Sequence, residues 1–110
     1  MFLYLSFQIQ MTLLEKHSSE IHKLCKSYNV KKLYAFGSVL TEKFSHKSDI
    51  DLIVDFDNID VANYADNFFD FKFSLQDILK HSIDLLEEKA IKNPYFKKAI
   101  SQKRQLVYGS

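Results

Sequence analysis

Asp49-Ile50-Asp51 places two carboxylates on alternate positions, separated by ten residues from a Gly37-Ser38 pair that contains the only interior glycine of the chain. A glycine ahead of a serine lets the backbone bend sharply, approach a ligand closely and turn its amides toward a phosphate. On an extended strand Asp49 and Asp51 fall on one face, roughly 6–7 Å apart, so both reach one divalent ion or two adjacent ions. Magnesium binds a few carboxylates together with substrate phosphate oxygens, and the combination therefore suits a metal-bound polyphosphate. Alone, Gly37-Ser38 is an ordinary strand-to-helix turn, and alternating acids are the ordinary solvated face of an antiparallel strand. Together they define one candidate site.

The flanking segments are those needed to position it. Leu33–Phe36 is short, aromatic and apolar, as a buried strand should be, and Ser38–Glu42 is expected to open a short helix with Ser38 at its cap. The polar run Thr41–Ser48, carrying Lys43, His46 and Lys47, reads as an exposed loop. From Asp49 to Phe56, Ile50, Leu52, Val54 and Phe56 alternate with Asp49, Asp51, Ile53 and Asp55, which is the period of a strand. Asp55 and Asp57 lie beyond reach of the same metal cluster and are expected to face solvent.

Ahead of this unit, Leu14, Ile21, Leu24, Cys25 and Tyr28 form one apolar stripe, predicting an amphipathic helix over Leu13–Tyr28. After it, Asn58-Ile59-Asp60 opens a long helix whose apolar positions include Val61, Tyr64, Ala65, Phe68, Phe71, Leu75, Ile78 and Leu79. Phe69 and Phe73 fall outside the main stripe and hint at a protein interface. Ser82–Leu86 is short and apolar apart from Asp84, and predicts a third strand. Asn93 and Pro94 read as the cap and first residue of a last helix running to about Leu106. The order implies an α/β fold of α+β type, with a small mixed sheet of about three or more strands flanked by helices.

With 110 residues, of which 46% are hydrophobic and 15% aromatic, the chain fits one domain with a real core. That domain is assigned to residues 11–110, with residues 1–10 as an apolar N-terminal extension lacking the features of a signal or anchor. Thr12 and Glu15 make a capping-box pattern at the start of the first helix. Fifteen basic and fourteen acidic residues give a formal charge of +1, which supplies no global pull toward nucleic acid or membrane. Cys25, the sole cysteine, excludes an intrachain disulfide, and the expected compartment is the cytoplasm. His17, His22, His46 and His81 lack metal-ligand spacing.

Gly37-Ser38, the ten-residue gap and Asp49-x-Asp51, with hydrophobic strands on both sides, resemble the DNA polymerase beta-like nucleotidyltransferase superfamily, most closely its minimal members. The likeness covers about Thr12 to Gly109. It implies a third carboxylate on a strand neighbouring the Asp-x-Asp strand, and Asp84 is the matching position. By that resemblance Asp49, Asp51 and Asp84 are the catalytic and metal (Mg2+) residues, and Gly37 and Ser38 seat the triphosphate. The implied reaction transfers a nucleoside monophosphate, AMP, from a nucleoside triphosphate, ATP, to a hydroxyl, with pyrophosphate leaving. Minimal members are often paired with a HEPN-domain toxin, so the implied partner is a HEPN-type protein, a homo-oligomer being the alternative.

One departure stands out. Many relatives carry arginine directly after Gly-Ser, whereas this chain has Val39-Leu40-Thr41-Glu42. Lys43 or Lys47 is a possible substitute, as a point charge without the guanidinium fork. The departure keeps open a second reading, an antitoxin-like subunit that neutralises its partner by binding alone. A small-molecule transferase is a third, and would need a pocket formed by dimerisation.

Overall fold

A computed structural model describes residues 13–41 and 43–109 of the chain. The proposed extension at residues 1–10 and the Thr12 half of the capping box lie outside these residues. Residues 13–16 are helical, and His17 separates them from α1 (Ser18–Ser27), so the expected single helix is interrupted. The interruption leaves Leu14, Ile21 and Cys25 together in the core, because the stripe survives one irregular turn. Burial pushes the Cys25 thiol up to about 12, which keeps it protonated.

Strand β1 (Val30–Phe36) leads through a tight 3-10 turn (Gly37–Leu40) and a loop to β2 (Ile50–Phe56). Helix α2 (Val61–Leu79) follows, with Asp60 as its N-cap, and ends where Lys80 takes a left-handed φ of 57°. Next come β3 (Ile83–Glu87), a 3-10 turn (Glu88–Ala90), α3 (Pro94–Lys103) and β4 (Gln105–Tyr108). Asn93 caps α3, its Oδ1 accepting from the amides of Tyr95 and Phe96 at 2.9 and 3.1 Å. No helix of the described residues is long and apolar enough to cross a membrane.

The four strands form one mixed sheet in the order β3-β2-β1-β4. The β1–β2 and β1–β4 pairs are antiparallel, and β2–β3 is parallel, as the intervening α2 requires. The expected sheet is therefore present, with one strand more than the three legible segments. The fourth corrects the last helix, which stops at Lys103 rather than near Leu106. Gln105–Tyr108 pairs with the edge that β1 would otherwise leave open, a tertiary hydrogen-bonding gain that outweighs local helical tendency.

Alternation along β2 divides the two faces. Ile50, Leu52, Val54 and Phe56 join Leu33 and Ala35 of β1 and Ile83 and Leu85 of β3 in the main core, with α1 and α2 supplying Ile21, Cys25, Phe71, Leu75 and Leu79. The amide nitrogen of Asn67 ties α2 to the end of α1 by donating to the Tyr28 carbonyl at 2.8 Å. Asp51, Ile53 and Asp55 take the opposite face, where Ile53 is buried outside that cluster. Asp55 is not the solvated residue expected: its side chain is only 16% exposed, and Lys89 Nζ lies 3.5 Å from it. Lys89 reaches back from the turn after β3, a contact that strand alternation cannot reveal.

Candidate active site

Gly37 follows the last residue of β1, and Phe36 at that position pairs with Asp51 of β2. The bend is thereby set directly against the acidic strand. Gly37 has φ of 74°, a left-handed value that disfavours any side chain, and a Cβ at this position would collide with Asp51 Oδ2. The turn it opens is a 3-10 turn without a side-chain cap, not a Ser38-capped helix. Instead the Ser38 carbonyl accepts from the Thr41 amide at 2.9 Å and from Thr41 Oγ1 at 3.0 Å. Val39 is fully buried in the core, which turns the residue directly after Gly-Ser away from any ligand.

Asp51 and Asp84 are register partners across the parallel β2–β3 pair. Partners on adjacent strands project to the same face about 5 Å apart, so the sheet itself delivers Asp84 to Asp51. Asp49 stands one residue before β2, and the strand's first amide, that of Ile50, donates to the Ser82 carbonyl at 2.9 Å. Burial, then the charges of Asp84 and Asp49, raise the Asp51 carboxyl above its ordinary value. Asp51 thus feels both of the other acids. Among the described residues, no three acidic, histidine or cysteine side chains form a ready-made metal cage. The donor set is nevertheless all carboxylate, which fits a hard divalent ion that keeps positions for substrate oxygens.

The loop between the turn and Asp49 is held by contacts that sequence reading did not find. The His81 ring donates from Nδ1 to the Ser48 carbonyl at 2.9 Å, and Phe44 stacks on the same ring at 5.0 Å. Ser45 and Ser48 close a local turn, with the Ser48 amide donating to the Ser45 carbonyl at 2.9 Å. The approach to Asp49 is therefore clamped to the α2–β3 connection. A lone histidine in a polar stretch carries no sequence signal for this role.

A cleft of about 530 Å³ opens beside Gly37, lined by Leu40, Thr41, Lys103 and Gln105. The last two come from the end of α3 and the start of β4, a segment misread as continuous helix. The neighbouring Arg104 places its guanidinium 3.8 Å over the Tyr34 ring and pairs with Glu88. A separate groove of about 330 Å³ lies between α2 and the edge strand β3, with Tyr64, Phe68, Phe69, Leu85 and Leu86 in its lining. Phe69 and Phe73 are 48% and 54% exposed and stack on each other, as their off-stripe positions imply.

A sequence profile of the family described as "Polymerase beta, Nucleotidyltransferase" matches residues 19–110. Two proteins of Methanocaldococcus jannaschii, provisionally named protein adenylyltransferases, are 36% identical over 96 residues and 34% identical over 97 residues. Each match covers 87% of this chain and 90% of the relative. Among solved structures, a protein provisionally named a minimal nucleotidyltransferase superposes with a TM-score of 0.70 at 21% identity, covering 84% of this chain and 90% of that one. A chain of a toxin–antitoxin complex solved with AMP-PNP gives 0.65 at 20% identity, covering 84% and 73%. A chain from a Shewanella oneidensis complex of a tri-AMPylated HEPN toxin with an MNT antitoxin gives 0.60 at 19%, covering 88% and 73%.

Proposed function

Because the chain belongs to the polymerase beta nucleotidyltransferase family and has the fold of its minimal members, we propose that it transfers AMP from ATP to a hydroxyl of a partner protein, acting as an antitoxin toward a HEPN-type toxin. The observation that carries the site is the pairing of Asp51 with Asp84 beside the Gly37 bend. Protein as acceptor follows the names of the Methanocaldococcus relatives, and the HEPN partner follows the toxin complexes of similar fold.

Asp49, Asp51 and Asp84 would hold Mg2+ at this site. A divalent ion there supplies charge compensation for the entering and departing oxygens of an in-line displacement. Gly37 and Ser38 present backbone amides to the polyphosphate, at a turn where the absence of a Cβ leaves room beside Asp51. Asp84 lies on β3, the edge strand of the sheet, and its side chain is exposed, so an acceptor hydroxyl can approach it from outside. There it accepts the proton of the attacking hydroxyl. Asp51, the more enclosed carboxylate, keeps to metal binding.

The test is transfer of label from α-labelled ATP, with magnesium, to a HEPN-type toxin supplied as the acceptor protein. Labelling that disappears in Asp49→Ala and Asp51→Ala proteins supports the reading, and tight unlabelled binding sinks it. One observation favours the second reading, neutralisation by binding alone: the position after Gly-Ser holds the core residue Val39 instead of a cation.

A further inference from the structure

We propose that Lys103 is the phosphate-binding cation of this site, reaching the polyphosphate tail of a nucleoside triphosphate from the end of α3 rather than from the loop after Gly37-Ser38. The inference rests on the nucleotidyltransferase reading above.

The sheet register brings the two residues together. β4 runs antiparallel to β1, and Gln105 pairs with Ala35. Two residues outward from that pair, past the ends of both strands, stand Lys103, the last residue of α3, and Gly37, the first of the 3-10 turn, and both line one cleft. The cleft agrees: among the described residues that line it, Lys103 is the one that carries a charge, and Gly37 and Thr41 are two of the others. Gly37 is thus flanked by Asp51 through β2 and by Lys103 through β4.

Two nearby positions are taken up otherwise. Val39, directly after Gly-Ser, is buried in the core, and Arg104 is committed to Glu88 and the Tyr34 ring. The acidic triad supplies only negative charge on its flank of the bend. A tail of several phosphate charges is balanced when a cation meets it from the opposite flank. Lysine does this as a point charge on a flexible stem, which suits a cleft open to solvent.

The experiment measures binding of magnesium tripolyphosphate and magnesium ATP to the full chain by calorimetry, with melting temperature recorded for each protein. Wild type, Lys103→Met, Lys103→Arg and Asp51→Asn are compared. Lys103→Met is expected to weaken both ligands about tenfold and to raise KM for ATP similarly, with kcat within about threefold, while Lys103→Arg stays within about threefold of wild type. Lys103→Met binding equal to wild type overturns the proposal, also when its melting temperature falls, since that marks a helix-end role only. If Asp51→Asn has lost binding in the same series, the nucleotidyltransferase reading stands without Lys103. Wild type that binds neither ligand overturns both.

Discussion

Gly37 and Asp51 compete for one volume: a Cβ on the glycine would fall onto the carboxylate oxygen of the aspartate. The Phe36–Asp51 pair in the β1–β2 ladder imposes this proximity, and the left-handed φ of Gly37 turns the chain away immediately afterwards. The Gly37 bend and Asp51 are therefore one structural unit. A change at either residue disturbs both.

Gly37→Ala is expected to destabilise the protein by about 1–3 kcal/mol, from the left-handed backbone and the crowding of Asp51 together. Urea unfolding monitors the loss. Nucleotide binding should fail at temperatures where the variant remains folded, because Asp51 must move to admit the methyl group. Unchanged binding and stability would refute the shared-volume account.

Asp51→Asn should reduce nucleotidyl transfer by at least about a hundredfold. The metal-free variant should nevertheless melt no lower than wild type, since it loses a carboxylate that burial and two neighbouring acids disfavour. Calorimetric scans with and without magnesium separate the effects. Wild type gains melting temperature on adding magnesium and ATP, and the variant does not.

The raised Asp51 carboxyl has a pH signature whose sign is set by linkage. Its folded pKa lies above the unfolded value, so its ionisation costs the metal-free fold stability at high pH, and that cost fades as pH falls through the raised value toward the ordinary one. Metal binding has the opposite dependence, because the ion needs the ionised carboxylate. Magnesium-dependent stabilisation should accordingly be lost on acidification at a higher pH than in a protein with ordinary carboxylates. Paired melting curves across that acid window, with and without magnesium, check the crossing slopes, and Asp51→Asn should flatten both.

His81→Ala removes the bond to the Ser48 carbonyl and the stack on Phe44. A loss of about 1–2 kcal/mol in stability is expected. Transfer should slow as well, because the segment entering Asp49 is no longer held to the α2–β3 connection. Hydrogen exchange over residues 44–49 should rise in the variant if the clamp works as described.

Much of the site was legible because local patterns carry it. The period of two along Asp49–Phe56 assigned Asp49 and Asp51 to one face, and the scarcity of glycine marked residue 37. Asp84 stood out as a lone acid in an apolar strand. The positions of Lys103, Gln105 and His81 were not legible, since each depends on which strand or loop becomes its neighbour. The expected helix runs on to about Leu106, into β4, for the same reason: a four-residue edge strand has little local signal until a partner edge exists. Asp55 was misjudged because its partner, Lys89, comes from a distant turn.

Chain chemistry alone determined the kinds of groups present, three acids and a bend, and the strand and helix periods that set which face each side chain takes. Tertiary structure decided their company. The parallel β2–β3 register put Asp84 against Asp51, and the antiparallel β1–β4 register put the end of α3 against Gly37. Periodicity is a property of neighbouring residues, whereas register is chosen by hydrogen bonding and burial over the whole sheet.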